Sequence, residues 1–338
     1  MQRLLRQPRT FGVLVWTIAF SASVVTVGLP TKRMNVLVWV TLAILALGIE
    51  RPRATLRSFA TTWVPLFGAL VAYDHLRGAS DGAQSTAHTW PQLDLDLWLG
   101  GGRTPSERLQ DAFWHPGSPS WWDYVAWAVY QSHFLVPLLL AVVLWAMRHR
   151  FATRYAIALA AVSWLSLATY WLYPAQPPWM TARDGIGGDI DRVVQRMWAD
   201  VGIDRAAKVY ATNRSAGRYS NQIAALPSMH AAFPMLITTI LWGTRRWLDA
   251  LLVTYVLTMA LTLVYAGEHF TFDIVLGWAY ALGIALVARR YQVGRLNRSS
   301  VALEPQAAAD GRGGIERVEA GALRSRYTGL PQTDETRS

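Results

Sequence analysis

The chain has no cysteine, which excludes a disulfide framework and a thiolate metal site. Lysine is nearly missing too: Lys32 and Lys208 are the only two, so arginine carries the basic charge. There is no Gly-rich phosphate loop, and no His-Glu-x-x-His helix offers a metal pair. No internal repeat is visible. Acidic residues are few, 22 against 32 Lys plus Arg, which leaves a formal charge of +10. A nucleic-acid binder would gather such a charge on one soluble face. Here the arginines are scattered between apolar segments, and no nucleic-acid partner is expected.

Apolar length is what the chain has in abundance. Of its 338 residues, 52% are hydrophobic and 17 are Trp. Stretches near 18 residues with few charges are candidates to cross a bilayer. About eight occur, at 11–29, 34–49, 58–75, 121–146, 154–173, 228–244, 247–266 and 272–289. The second and sixth are short enough to be tilted or re-entrant. The first reads as an uncleaved span, because the membrane pattern resumes at once. The expectation is an all-α, polytopic transmembrane helical bundle. Its divisions would be an N-terminal membrane hairpin (1–57), a membrane domain (58–290) and a disordered cytoplasmic tail (291–338), where aromatics nearly vanish.

Arginines cluster at Arg3, Arg6 and Arg9; Arg51, Arg53 and Arg57; Arg148, Arg150 and Arg154; Arg245 and Arg246; and Arg289, Arg290 and Arg295. These clusters fall at alternate ends of the spans, the positive-inside pattern, with both termini cytoplasmic and the plasma membrane as the expected location. Lys32 and Arg33 go against it. Residues 30–33, 76–120, 174–227 and 267–271 then face outward. The first long outer segment holds Thr104-Pro105-Ser106-Glu107, a helix start with a Thr N-cap and a Glu to close a capping box. The second has Ile190, Val193, Val194, Met197, Trp198 and Val201 at helical spacing. Such a helix either lies on the membrane surface or packs over the mouth of the bundle.

Two strings open apolar runs at the expected outer face: Pro227-Ser228-Met229-His230 and His269-Phe270-Thr271-Phe272-Asp273. His269 and Asp273 are four residues apart and would share a helical face. On spacing alone the pair either orients two helices or makes an activated imidazole. In the second case Asp273 fixes the tautomer of His269 and leaves the other ring nitrogen to attack phosphorus. His230, expected at similar depth, would act as acid and then base. Ser228 reads as an N-cap whose helix start also presents N–H groups to phosphate oxygens. His133 lies about twelve residues into the fourth run, roughly 18 Å along a helix, and either binds substrate or bonds another helix. Candidate phosphate ligands among the cations of the outer face are Arg77, Arg183, Lys208, Arg214 and Arg218, with Arg183 and Arg77 favoured. Tyr173 and Gln176 would line a substrate groove.

Pro-Ser-x-His followed by His-x-x-x-Asp resembles two signatures of the type 2 phosphatidic acid phosphatase superfamily. The wider chain is more similar to its inositol-phosphorylceramide-synthase-like branch. Tyr73-Asp74-His75-Leu76-Arg77, Tyr130-Gln131-Ser132-His133-Phe134 and Tyr173-Pro174-Ala175-Gln176-Pro177-Pro178 carry that likeness, which covers roughly residues 58–290. The resemblance implies a six-helix core, with His269 as nucleophile, Asp273 as its assistant and His230 as acid and base. Two departures stand out. Six residues before His269, where the phosphatases have Arg, this chain has Leu263, and the Lys-x6-Arg-Pro signature is absent. These losses fit the phosphotransferase branch better than simple phosphatases.

The expected function is a lipid phosphotransferase or phosphatase that works through a phosphohistidine at the outer face, without metal or cofactor. Its partners would be a lipid-linked phosphate, a hydroxyl acceptor or water, and the surrounding membrane lipids. The competing expectation is a transporter or lipid-binding protein whose His and Asp residues relay protons. A relay would spread ionisable groups through the membrane, whereas His230, His269 and Asp273 are expected at one surface.

Overall fold

The computed structural model describes residues 7–27, 33–79, 87–147, 151–202 and 222–309. Contacts divide the chain into two units, Met1–Leu282 and Gly283–Ser338. Among the described residues all regular structure is helical, with only isolated bridges linking His88, Ala175 and Ala224. Each of the eight apolar runs forms helix. They are α1 (Pro8–Val27) and α2 (Arg33–Leu47); α3 (Pro52–Ser58), which continues through a π turn at Phe59–Trp63 into α4 (Val64–Ala79); α7 (Trp121–Ala146) and α8 (Ala152–Leu172); and α11 (Met229–Leu241), α12 (Arg246–Tyr265) and α13 (Thr271–Ala309). Between them lie the short helices α5 (Gln92–Leu99), α6 (Pro105–Phe113), α9 (Pro178–Arg183) and α10 (Val193–Asp200).

Among the described residues, five helices are long and apolar enough to cross a membrane: α1, α7, α8, α12 and the Thr271–Arg290 part of α13. Two more, Met34–Leu47 and Met229–Leu241, are apolar but shorter. The chain is a multi-pass helical bundle. The π turn has a local cause: Pro65 follows it and has no N–H to give, and the Val64 N–H bonds back to the Phe59 carbonyl in the wider register. α7 and α11 each contain an internal proline, Pro137 and Pro234.

The first unit packs α4 on α8, α11 on α12 and α8, and α7 on α8, α11, α12 and α2. Two contacts bring the site together. Gly277 on α13 lies so close to α11 that an added Cβ would stand 2.4 Å from the Ser228 carbonyl. Next to it, the Ser228 N–H donates to the Asp273 carbonyl at 2.9 Å. The two motif strings, far apart in sequence, are therefore joined main chain to main chain.

The short helices cover this end of the bundle. Of the two placements open for the 189–203 segment, the structure shows packing on protein. Val193, Val194 and Met197 are buried in a cluster with Trp114, Tyr130, Met259, Leu263 and Ile274, and the buried Trp198 ring meets Trp127 edge-on at 5.1 Å. Burial of such side chains stabilises by roughly 1.5–3 kcal/mol each. α6 starts as its sequence suggests, with the Thr104 side chain accepting from the Glu107 N–H. Its buried face is partly polar, however. Gln110 donates to the carbonyls of Asp191 and Tyr265 and accepts from the Asp191 N–H, which ties α6 to the α10 segment and to the end of α12.

Candidate active site

α11 begins at Met229 with Ser228 as N-cap, the serine hydroxyl accepting from the Ala231 N–H at 3.3 Å. His230 is thus the second helical residue and faces the start of α13. There the chain departs from the expectation of one helix carrying both His269 and Asp273. α13 starts at Thr271, and His269 sits in the preceding turn. The reason is a cap. Asp273, at the third helical position, reaches back so that its Oδ2 accepts from the Phe270 N–H at 3.1 Å. The same oxygen lies 3.3 Å from His269 Nδ1. The carboxylate therefore still meets the ring, from a helix that starts later. Nδ1 faces Asp273, so Nε2 is the nitrogen of His269 left for chemistry.

The two imidazoles converge. The centroids of His230 and His269 are 5.8 Å apart with the planes inclined at 53°. His133 joins them, its ring 3.9 Å from that of His230, and Tyr130, one turn away on α7, stacks on His230 at 4.3 Å. Phe233 lies parallel to His133 at 4.9 Å. His230 Nε2 is buried with no hydrogen-bond partner among the described residues. It is the ring atom best placed to exchange a proton with a substrate.

The turn before His269 is fixed by several groups. Gly267 has φ +68°, a conformation that suits glycine, and a Cβ there would strike Ile190 Cγ2 at 2.7 Å. Its carbonyl accepts from the Trp179 N–H. Glu268, buried, pairs with Arg192, whose Nε and Nη2 donate to its two oxygens at 2.8 and 3.2 Å. From α5, Asp96 Oδ1 accepts from the Thr271 N–H at 3.1 Å. Asp96 is fully buried, and its carboxyl is pushed up to about 6, first by burial and further by Asp273, against the hydrogen bonds from Thr271.

The remaining sequence candidates are distributed unevenly. Arg77 on α4 comes within electrostatic range of His230, Tyr130 and Tyr170. Arg183 is half-exposed, pairs with Asp184 and lies over the Trp179 ring at 5.6 Å. Tyr173 stacks on His88 at 4.0 Å and donates to the Trp90 carbonyl, while Gln176 bonds Thr89 and Asp184. Tyr173 packs against Ala175, Ala225 and Leu226, beside Phe272. Lys208, Arg214 and Arg218 lie outside the described residues. Arg192, Glu268, Asp96 and His88 were not singled out from sequence. Glu268 carried a signal all the same, because an acid directly beside a buried histidine needs a cationic partner.

Fold and site together define a multi-pass membrane bundle with a two-histidine, one-carboxylate centre where three helices meet. The chain belongs to the PAP2 superfamily, whose family model matches residues 102–287, more than half of its length. It is also similar to phosphoinositol dihydroceramide synthase of Bacteroides thetaiotaomicron, with 26% identity over 166 residues, which is 47% of this chain and 53% of the relative. The chain thus spans about half the length of that curated relative. No solved structure matches it.

Proposed function

We propose that the protein is a membrane lipid phosphotransferase that works through a phosphohistidine. His269 Nε2 attacks the phosphorus of a lipid-linked phosphate and forms a P–N bond. The P–O bond to the leaving group breaks, and His230 gives its proton to the departing oxygen. Asp273 holds the His269 tautomer and stabilises the imidazolium character that develops. An incoming hydroxyl then attacks phosphorus, gives its proton to His230, and the P–N bond breaks. Water as acceptor would make the reaction a phosphatase. The observation that carries this reading is the convergence of His230 and His269, with Asp273 behind His269.

An alcohol acceptor is favoured because the matched relative is by name a phosphoinositol dihydroceramide synthase. The arginine distribution supports a site on the outer face of the plasma membrane, with both termini inside. Arg77 and the N–H groups at the start of α11 contribute to holding the phosphate. The chemistry needs two imidazoles and a carboxylate, so metal is not required.

The test uses purified full-length protein in detergent with lipid phosphates and a lipid or polyol acceptor, in excess chelator. Released phosphate and transferred product are both followed. His269→Ala is expected to abolish both, on the order of 10³-fold or more. Full activity in that variant removes the phosphohistidine, and loss of wild-type activity in chelator removes metal independence.

A further inference from the structure

Attack on phosphorus brings an anion up to His269, so positive charge is needed where that anion sits. Position 263, where the resemblance expects arginine, is Leu263, fully buried. It packs in the same cluster as Val193 and Val194, the first two residues of α10. The Leu263 carbonyl also accepts from the N–H groups of Glu268 and His269, at 3.1 and 3.4 Å. The residue that begins the neighbouring segment is Arg192, N-cap of α10. Charge missing from α12 is thus present at the start of an element that shares the cluster of Leu263.

Three features separate Arg192 from an ordinary surface arginine. Glu268 takes it side-on, through Nε and Nη2, which fixes the plane of the guanidinium. The guanidinium lies over the Trp179 ring, 4.6 Å from the centroid. Trp179 in turn donates its backbone N–H to Gly267, in the turn that presents His269. The side chain is 22% exposed and Glu268 7%, which puts the pair at the rim of the site. Arg192 also lies within electrostatic range of His230. Arg183 shares the same indole but is bound to Asp184.

We propose that Arg192 is the rim cation of the site: it receives the anionic phosphate of the substrate beside His269, while Glu268 and Trp179 hold its guanidinium in place. This rests on the phosphotransfer reading above and names the residue that replaces the missing arginine.

The experiment measures inorganic phosphate binding by calorimetry, together with KM and kcat for a lipid phosphate, on the purified full chain. Arg192→Gln is expected to weaken phosphate binding roughly 10- to 100-fold and to raise KM more than it lowers kcat. Arg192→Lys keeps the charge without the fork and should recover part of the loss. Glu268→Gln loosens the guanidinium but leaves its charge, and should weaken phosphate binding less than Arg192→Gln does. Arg196→Gln, on the exposed side of α10, should match the wild type. Should Arg192→Gln fail to fold, Arg192→Lys decides: a folded protein with wild-type phosphate affinity and KM overturns the proposal. Equal losses of stability and kcat in Arg192→Gln and Glu268→Gln, with phosphate binding intact, also overturn it and leave Arg192 a strap. Arg192-dependent phosphate binding without any transfer supports the anion site and removes the phosphotransfer reading. Transfer with unchanged KM and phosphate affinity in Arg192→Gln does the reverse.

Discussion

The segment that carries His269 is held by polar contacts, whereas the His230 ring is held by other rings. Around His269 stand the Asp273 carboxylate, the Arg192–Glu268 pair, the Asp96 bond to Thr271 and the main-chain links of Gly267. Around His230 stand Tyr130 and His133, with Phe233 stacked on His133 in turn. The difference matches what the proposed mechanism asks of each ring. A nucleophile needs one tautomer and one orientation, which hydrogen bonds to a fixed carboxylate impose. An acid that becomes a base must lose and regain a proton, and ring stacking positions it without occupying its nitrogens.

The comparison is broken most severely at Asp273. Asp273→Asn keeps the size of the side chain but loses the charge that fixes His269, and kcat should fall on the order of 10³-fold with little change in KM. A loss under tenfold in steady-state assays would mean that the polar hold is not what readies His269. The aromatic hold is tested at His133. His133→Ala removes three ring contacts, to Phe134, His230 and Phe233, each about 0.5–1.5 kcal/mol, so kcat should drop roughly tenfold. His133→Phe keeps the stacking and should restore most of it. Should Phe prove as poor as Ala, the imidazole itself is required, and the contrast between the two histidines narrows.

The smallest effect is expected at Asp96, where the readout is stability. In the folded protein this carboxyl keeps its proton up to about pH 6, against 3.8 ordinarily. Its contribution is therefore complete below pH 3.8 and is lost as pH rises through 6. Asp96→Asn keeps an acceptor for the Thr271 N–H and carries no charge. Its melting temperature relative to the wild type should rise across that window by about 2–4 °C and then level off. A difference that does not vary with pH would show that Asp96 costs nothing when ionised.

These contrasts also mark what could be read from sequence. The apolar runs were legible because membrane helices announce themselves by length and composition: each contains helix, and among the described residues five helices are long and apolar enough to cross a membrane. His230, His269 and Asp273 were legible because they stand at the starts of such runs. The late start of α13 was not, since it depends on Asp273 capping Phe270 instead of continuing a helix through His269. Nor was the placement of α10. Its apolar stripe suits a membrane surface and a protein surface equally, and only Trp127, Met259 and Leu263 on other elements decide between them. Arg192 and Asp96 escaped for a related reason. Each acts through a partner at least 76 residues away, Glu268 for one and Thr271 for the other, and a single chain read in order shows no such pairing.

The internal prolines of α7 and α11 give the aromatic side a property the polar side lacks. Pro137 and Pro234 each stand four residues after a site histidine, His133 and His230. A proline has no N–H to donate, so neither histidine carbonyl is tied into the helical ladder by the residue that would ordinarily do so. Both helices are thereby loosened at the turn that carries the imidazole. As a headgroup enters, the His230 ring can swing or slide toward it without any rung of its own helix being broken at that point.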